Sequence, residues 1–169
     1  AMSDPVNISL SVTLSVIKNM EAEVKKLDKQ IDKIMKGFQQ TLTSVKGIGA
    51  VYAAGILAEI GDISRFDDHN ALAKFAGLVW NKYQSGDFEA EDTERVMTGN
   101  KYLRYYLVEA ADKVRKYDSE YEAFYHKKFN EVTKHQHKRA LVLTARKLVR
   151  LVFMLLKTKK LYTPPERRN

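Results

Sequence analysis

The chain has 169 residues, 44% of them hydrophobic and 30% charged, enough for one globular domain plus an accessory element and too few for two full enzyme domains. Lys and Arg number 29 against 21 Asp and Glu, and the net +8 is unevenly placed: residues 1–94 carry 10 basic and 14 acidic side chains, residues 95–169 carry 19 and 7. A positive C-terminal half points to a polyanionic partner, the absence of Cys excludes disulfides, thiolate metal sites and a cysteine nucleophile, and the longest apolar run, Leu151 to Leu156, falls far short of the roughly 20 residues a membrane span requires.

No signal-peptide pattern stands at the start, because Ser3 to Leu14 mixes polar residues throughout, so the expectation is a cytoplasmic protein without a membrane partner. Pro occurs only at positions 5, 164 and 165, and all eight Gly lie between Gly37 and Gly99. That distribution predicts long helices at both ends and a turn-rich middle. From the N-terminus, Ile17, Met20, Val24, Leu27, Ile31, Ile34 and Phe38 recur in a three-four alternation with Glu, Lys, Asp and Gln between them. This is a coiled-coil seam on a helix over residues 6–41, able to pack on the same chain or on a second copy; self-association is the reading adopted.

Past Leu42 the pattern changes to short helices broken by glycine. Gly47 and Gly49 lie between apolar helical stretches and predict a helix-hairpin-helix over residues 42–61, with Gly61 taking φ > 0 after the last turn. Such a turn leaves free N–H groups at a helix start, where the positive dipole end attracts a phosphate; the competing reading is that the glycines let two helices pack closely, with Ala53 and Ala54 as the contact. A further helix fits Asp67 to Ala76, capped by Asp67 or Asp68. Residues 77–99 show no helical period: Leu78 to Gly86 reads as a short strand with a return near Arg95 to Met97, making a tiny β-hairpin near Ser85. Beyond Asn100, helices are expected over Lys101 to Tyr117, Glu120 to Lys134 and Lys138 to Lys159, the last being the most apolar and central to the core. The fold class is therefore all-α.

Three groups of residues bear on chemistry. Ser85-Gly86 sits in the glycine-bounded loop, where a hydroxyl can reach a phosphodiester and the glycine removes bulk, although ordinary turn chemistry is the better explanation of an isolated Ser-Gly and no base is readable beside it. His126, His135 and His137 do not make a metal site, since residues at i and i+2 do not share a helix face and the run Lys134 to Arg139 repels cations; the acids Asp87, Glu89, Glu91, Asp92 and Glu94 read as a solvated loop. No metal ligands are assigned to this chain. The basic residues of the C-terminal half, interleaved with Tyr102, Tyr105, Tyr106, Tyr117, Tyr121 and Tyr125, supply phosphate contacts and stacking surfaces, with about half of these positions expected to be solvated or buried instead.

Read in order, Val45-Lys46-Gly47-Ile48-Gly49, Ala53-Ala54-Gly55-Ile56-Leu57-Ala58-Glu59-Ile60-Gly61-Asp62-Ile63-Ser64-Arg65-Phe66, Phe75-Ala76-Gly77-Leu78, Tyr83-Gln84-Ser85-Gly86 and Gly99-Asn100-Lys101-Tyr102-Leu103-Arg104 closely resemble the C-terminal transposase domain of the insertion-sequence one-ten family, grouped with the one-sixteen and nine-oh-two elements. The stretch Lys138-Arg139-Ala140 to Arg146-Lys147-Leu148 extends the similarity. The resemblance implies a DNA recombinase that moves an insertion sequence, is guided by an element-encoded RNA, and is nucleoid-associated in a bacterium or archaeon. It implies Ser85 as the catalytic nucleophile and a coiled-coil segment used in assembly, while the glycine turn and the basic residues predict nucleic-acid contacts from Lys46, Gly47, Gly49, Lys82, Lys101, Arg104, Lys138, Arg139 and Arg146, and the seam predicts a homodimer or higher oligomer. Family members carry a RuvC-like domain whose acids hold Mg2+. Here that domain is absent, so no cofactor is expected in this chain, which reads as an inactive fragment: residues 1–5 disordered or a tag remnant, 6–41 the coiled coil, 42–162 the transposase domain with its serine loop at 77–99, and 163–169 a disordered tail. One departure is the acidic Gly86-Asp87-Phe88-Glu89-Ala90-Glu91-Asp92, where many relatives are basic. The alternative function is a non-catalytic helix-hairpin-helix module that binds DNA or RNA and is dimerised by the coiled coil.

Overall fold

A computed structural model of the protein describes residues 3–80, 84–85, 88–89 and 98–164. The chain is all-α, as expected. Its order is α1 (Ser3–Gly37), a 3-10 turn (Leu42–Ser44), α2 (Ala50–Ile60), a second 3-10 turn (Ile63–Arg65), α3 (His69–Phe75), the two-residue strands β1 (Gln84–Ser85) and β2 (Phe88–Glu89), α4 (Lys101–Val114), α5 (Ser119–Asn130) and α6 (Gln136–Thr158). It divides into two compact units, residues 1–39 and 40–169.

The first unit is α1 alone. Pro5 lies in its first turn, where the missing N–H costs nothing, and Asp4 and Lys36 complement the helix dipole at its two ends. Thr13 and Ser15 fold their hydroxyls back onto the carbonyls of Ser9 and Ser11, at 2.8 and 3.0 Å, which satisfies these polar groups within the helix. The seam residues Ile17, Met20, Val24, Leu27 and Ile34 keep between 46% and 67% of their surface exposed, and Ile31 is half-buried. The helix ends at Gly37, so Phe38 follows the last helical residue instead of extending the stripe. Upstream, Val6, Ile8, Leu10, Val12, Leu14 and Val16 are also exposed. In sequence they alternate with Asn, Ser and Thr, a period-two pattern that a helix distributes around its whole circumference.

The second unit is built around α6. Its Ala140, Ala145, Leu148, Val149, Val152 and Leu155 are completely buried and pack against α3, α4 and α5, while α2 packs on α4 through Ala53, Ile56 and Ile60. Helix starts are set by side-chain caps. Asp68 accepts from the amides of Asn70 and Ala71, Asn100 from Tyr102 and Leu103, and Asp118 from Glu120 and Tyr121. The cap at Asp118 explains why α4 stops at Val114 instead of running to Tyr117: the chain must turn there to begin α5. His135, at φ 52°, makes the corresponding reversal before α6, and Gly61 takes the expected positive φ of 62° after α2.

Two expectations are corrected. The first arm of the helix-hairpin-helix is only the 3-10 turn Leu42–Ser44, because Val45 turns to an extended conformation and Gly47 to φ 102° before a second helical turn can form. The hairpin is tighter than expected: Gln84 pairs with Glu89 and Ser85 with Phe88, so the return strand is Phe88–Glu89. The proposed return at Arg95 to Met97 lies outside the described residues.

A C-terminal strap closes the second unit. After α6 the Tyr162 amide donates to Ser44 Oγ at 2.8 Å, and its hydroxyl donates to Asp118 Oδ2 at 2.5 Å, while Thr41 Oγ1 donates to the Leu155 carbonyl at 3.1 Å. Asp118 thus serves a helix cap with one oxygen and the strap with the other. Asp118→Ala is expected to cost about 2 to 3 kcal/mol in chemical denaturation and Tyr162→Phe about 1 kcal/mol. Burial and the Asp118 carboxylate hold the Tyr162 hydroxyl above the ordinary tyrosine range. A raised folded value means that this stability is fully present below the unfolded tyrosine value of about 10 and is lost as pH rises beyond it. Tyr162→Phe should therefore flatten the alkaline limb of a stability-pH curve.

Candidate nucleic-acid interface and serine loop

Ser85 lies in β1, opposite Phe88 in the ladder. The segment containing it leaves the helical unit after Gly77 and returns at Gly99, and these two glycines meet back to back. Gly77 has φ 66° and Gly99 φ 108°; a Cβ on Gly99 would stand 2.6 Å from the Gly77 amide nitrogen, and one on Gly77 2.2 Å from the Thr98 carbonyl oxygen. Only glycine permits that approach. Around it, the Leu78 amide donates to the Ala73 carbonyl at 2.8 Å and the Asn100 amide to the Phe75 carbonyl at 2.7 Å. The Arg104 guanidinium donates to the Ala76 carbonyl at 3.2 Å, and the Asn100 side-chain amide donates to Glu59 on α2 at 2.7 Å. The foot of the serine loop is therefore locked to α2, α3 and α4.

Beside this foot is an open cleft of about 740 Å³, lined by Ala71, Lys74, Phe75, Thr98, Gly99, Asn100, Lys101 and Tyr102. Phe75 is held from behind by Phe66, with ring centroids 5.4 Å apart, and by the Arg65 guanidinium, 4.6 Å from its ring centre. In the sequence Arg65 and Phe75 stand out only as parts of the family motifs, and Lys74 does not stand out at all. Their grouping depends on α3 ending beside the start of α4, which no local pattern encodes.

The glycine turn before α2 answers the choice left open by its sequence. A Cβ at Gly47 would lie 2.7 Å from the backbone nitrogen of Val114, so this glycine is required for α2's approach to the end of α4. Gly49 has open space around its α-carbon and caps α2 without a side-chain bond. Next to it are the exposed Lys46, together with Lys113 and Tyr117.

The predicted cations separate into two sets. Arg139 bonds Glu131 at 3.2 Å and the Lys128 carbonyl at 3.4 Å, tying α6 to α5. Arg146 donates to Asn70 at 2.6 Å, tying α6 to α3; burial depresses its pKa, with the Asp68 charge opposing. Arg104 bonds the loop foot. Lys113, Arg115 and Lys116 all face Asp112, at 3.6, 2.6 and 3.4 Å. Burial works to raise the Asp112 carboxyl, but the hydrogen bond and charge of Arg115, joined by Lys116, hold it below its ordinary value. Lys46, Lys101 and Lys138, by contrast, are exposed and make no ion pair among the described residues. Lys82 lies outside the described residues, as do Asp87, Glu91, Asp92 and Glu94. The tyrosines also divide: Tyr102, Tyr105 and Tyr117 are exposed, while Tyr121 and Tyr125 are buried, the latter bonding His137 Nδ1 at 2.7 Å beneath Arg115. Among the described residues no three His, Asp or Glu side chains converge as a metal site, and no helix is long and apolar enough to cross a membrane.

Residues 39–126, which contain the glycine turn, the serine loop and its foot, match the profile of the Transposase IS116/IS110/IS902 family. The chain is 28% identical over 148 residues to the insertion element IS116 uncharacterized 44.8 kDa protein of Streptomyces clavuligerus, an alignment covering 88% of this chain and 35% of that protein. It is 29% identical over 99 residues to a probable family 20 transposase of Pseudomonas aeruginosa, covering 56% of this chain and 28% of that one. The chain thus spans about a third of the length of the curated relatives it matches.

The contrast between the glycines gives a direct check. Gly47→Ala and Gly99→Ala each force a strained φ and a backbone clash, and should destabilise the unit by at least about 1 to 3 kcal/mol in thermal or chemical denaturation. Gly49→Ala should change stability by less than about 1 kcal/mol.

Proposed function

Because this chain belongs to the IS116/IS110/IS902 transposase family, we propose that it is the serine-bearing part of a DNA recombinase that moves an insertion element. The observation that carries this reading is the locked foot of the serine loop: a short hairpin holding Ser85 stands on a glycine contact braced by three helices, within the family-matched stretch. A nucleophile has to be held close to its target, and a braced foot in the family-matched stretch supports that reading.

In the proposed reaction the Ser85 hydroxyl attacks a DNA phosphodiester. A phosphoserine ester forms, one phosphorus–oxygen bond to deoxyribose breaks, and the serine proton leaves with the released hydroxyl. A DNA hydroxyl then attacks the ester and restores free serine, so the bond energy is conserved. The exposed Lys46, Lys101 and Lys138 hold the DNA backbone electrostatically, and Arg104, Arg139 and Arg146 shape the surface through the contacts described above. Mg2+ would stabilise charge on the phosphate from acids elsewhere in a longer protein, and a guide RNA would select the DNA; neither is assigned to residues of this chain.

In the full-length protein, Ser85→Ala should lower strand exchange by at least about 10³-fold while leaving complex formation with DNA and RNA intact. Wild-type exchange by that variant, or the absence of a denaturant-resistant protein–DNA adduct mapping to Ser85, returns the chain to the alternative of a non-catalytic nucleic-acid-binding module.

Association of two copies through the exposed α1 stripe is part of the same reading, because strand exchange needs paired active sites. Replacing Val24 and Ile31 with Asp should convert the assembly to monomer in sedimentation while α2 to α6 stay folded; an unmodified chain that sediments as a monomer at high micromolar concentration refutes this role.

A further inference from the structure

The cleft beside the foot of the serine loop contains, besides Lys101, residues to which the proposed reaction gives no role, and its chemistry is two-sided. Its lining is mostly apolar and joins Ala71, Phe75, Thr98 and Gly99 to Asn100, Lys74, Lys101 and Tyr102. Both lysines are exposed and form no ion pair among the described residues, whereas Arg115, Lys128, Arg139 and Lys147 are all engaged by acids. Tyr102 keeps 58% of its surface exposed, with the Lys101 ammonium 5.0 Å from its ring centre. A mostly apolar cleft whose lining includes an exposed aromatic ring and two unpaired lysines suits a ligand with a flat hydrophobic face and a nearby negative charge.

The start of α4 cannot itself supply the anion site. Asn100 Oδ1 already accepts from the amides of Tyr102 and Leu103, at 2.9 and 3.0 Å, so the helix N-terminus is satisfied from within. Any anion here is held by side chains. The cleft is also braced from behind, because Phe75 is pinned by Phe66 and Arg65 and Asn100 by Glu59. A ligand entering it therefore meets a preformed wall.

The geometry points to a subsite for one unpaired nucleotide of single-stranded DNA. The base enters the apolar cleft against Tyr102 and Phe75, and the adjoining phosphates lie between the ammonium groups of Lys74 and Lys101. Stacking needs a base freed from its duplex partner, and the cleft is too open to select among bases by hydrogen bonding, so recognition is of single-strandedness. This rests on the reading of Ser85 as the nucleophile in one respect: DNA is named as the occupant because the cleft adjoins the foot of that loop, and strand exchange exposes unpaired nucleotides next to the cleaved bond.

The test uses the purified 169-residue chain and fluorescence anisotropy with a labelled six-nucleotide oligo-dT, a matching oligo-rU and a duplex of equal length. Oligo-dT should bind in preference to the duplex. Tyr102→Ala should weaken oligo-dT binding by roughly 10-fold or more while Tyr102→Phe retains it, and Lys74→Gln and Lys101→Gln should each reduce the slope of log affinity against log salt by about 0.7. Tyr102 and both lysines are exposed, so circular dichroism should show the same helical content in every variant. Unchanged oligo-dT affinity in Tyr102→Ala, equal loss in the alanine and phenylalanine variants, or duplex bound as well as oligo-dT overturns the subsite. Tighter binding of oligo-rU, with the same dependence on Tyr102, overturns DNA as its occupant. The adduct experiment on Ser85 is read separately: a Tyr102-dependent oligo-dT site without a serine adduct leaves the subsite standing and removes the catalytic reading, and the converse removes only the subsite.

Discussion

The burial of one face of α6 is the constraint on which the rest of the second unit depends. Leu148, Val149, Val152 and Leu155 are withdrawn completely from solvent, and α3, α4 and α5 all pack against that helix. At about 1.5 to 3 kcal/mol for each large aliphatic side chain buried, this face outweighs any single polar contact in the structure. Its consequence is positional. With α3 and α4 seated on a common helix, the end of one lies beside the start of the other, and the chain between them can leave and return at a single point. The Gly77–Gly99 contact is possible only because of that seating, and it gives the serine segment a rigid foot.

The basic side chains divide between those engaged within the fold, among them Lys113, Lys116, Lys128 and Lys147 as well as arginines, and a few lysines left to solvent. Arg104, Arg115, Arg139 and Arg146 use their planar donors on carbonyls, carboxylates and an amide oxygen within the fold, whereas Lys46, Lys74, Lys101 and Lys138 project into solvent. Guanidinium groups suit fixed contacts because several donors engage at once and their charge is weakly hydrated; ammonium groups remain available for a polyanion that slides or exchanges. Much of the positive charge in the C-terminal half therefore holds helices together, and the part offered to a partner is smaller and better localised than the count of basic residues indicates. Within that part, Lys74 and Lys101 flank a cleft, while Lys46 stands by the turn into α2, whose cap lacks a side chain.

The first unit obeys different physics. α1 satisfies its backbone internally and its hydroxyls locally, but leaves aliphatic side chains exposed along most of its length. From Ile17 onwards those residues follow one stripe, as a two-helix seam would. From Val6 to Val16 they surround the helix, and such a segment gains from burial on more than one side. Surface of this kind is maintained when a partner covers it.

Helix content, the order of the helices and the dominance of α6 were legible in the residues, because periodic apolar spacing, capping residues and the confinement of glycine to the middle are local signals. The glycine turn stands out for the same reason, whereas Ser85 stands out only through the ordered series of family motifs around it. What one-dimensional spacing could not express was contact between distant segments. Spacing offers Gly47 as a phosphate-binding turn or a close-packing residue, and only the fold shows Val114 2.7 Å from where its Cβ would be. The bonds of Arg139 to Glu131 and of Arg146 to Asn70 join residues that the sequence spacing does not bring together. Asp118 caps α5, but its second role depends on Tyr162, which returns from beyond the last helix. Local sequence determined which helices form, since propensity and capping act within a few residues; tertiary packing alone decided which charges are spent inside the fold and which remain at the surface, since an ion pair or a steric contact depends on separation in space.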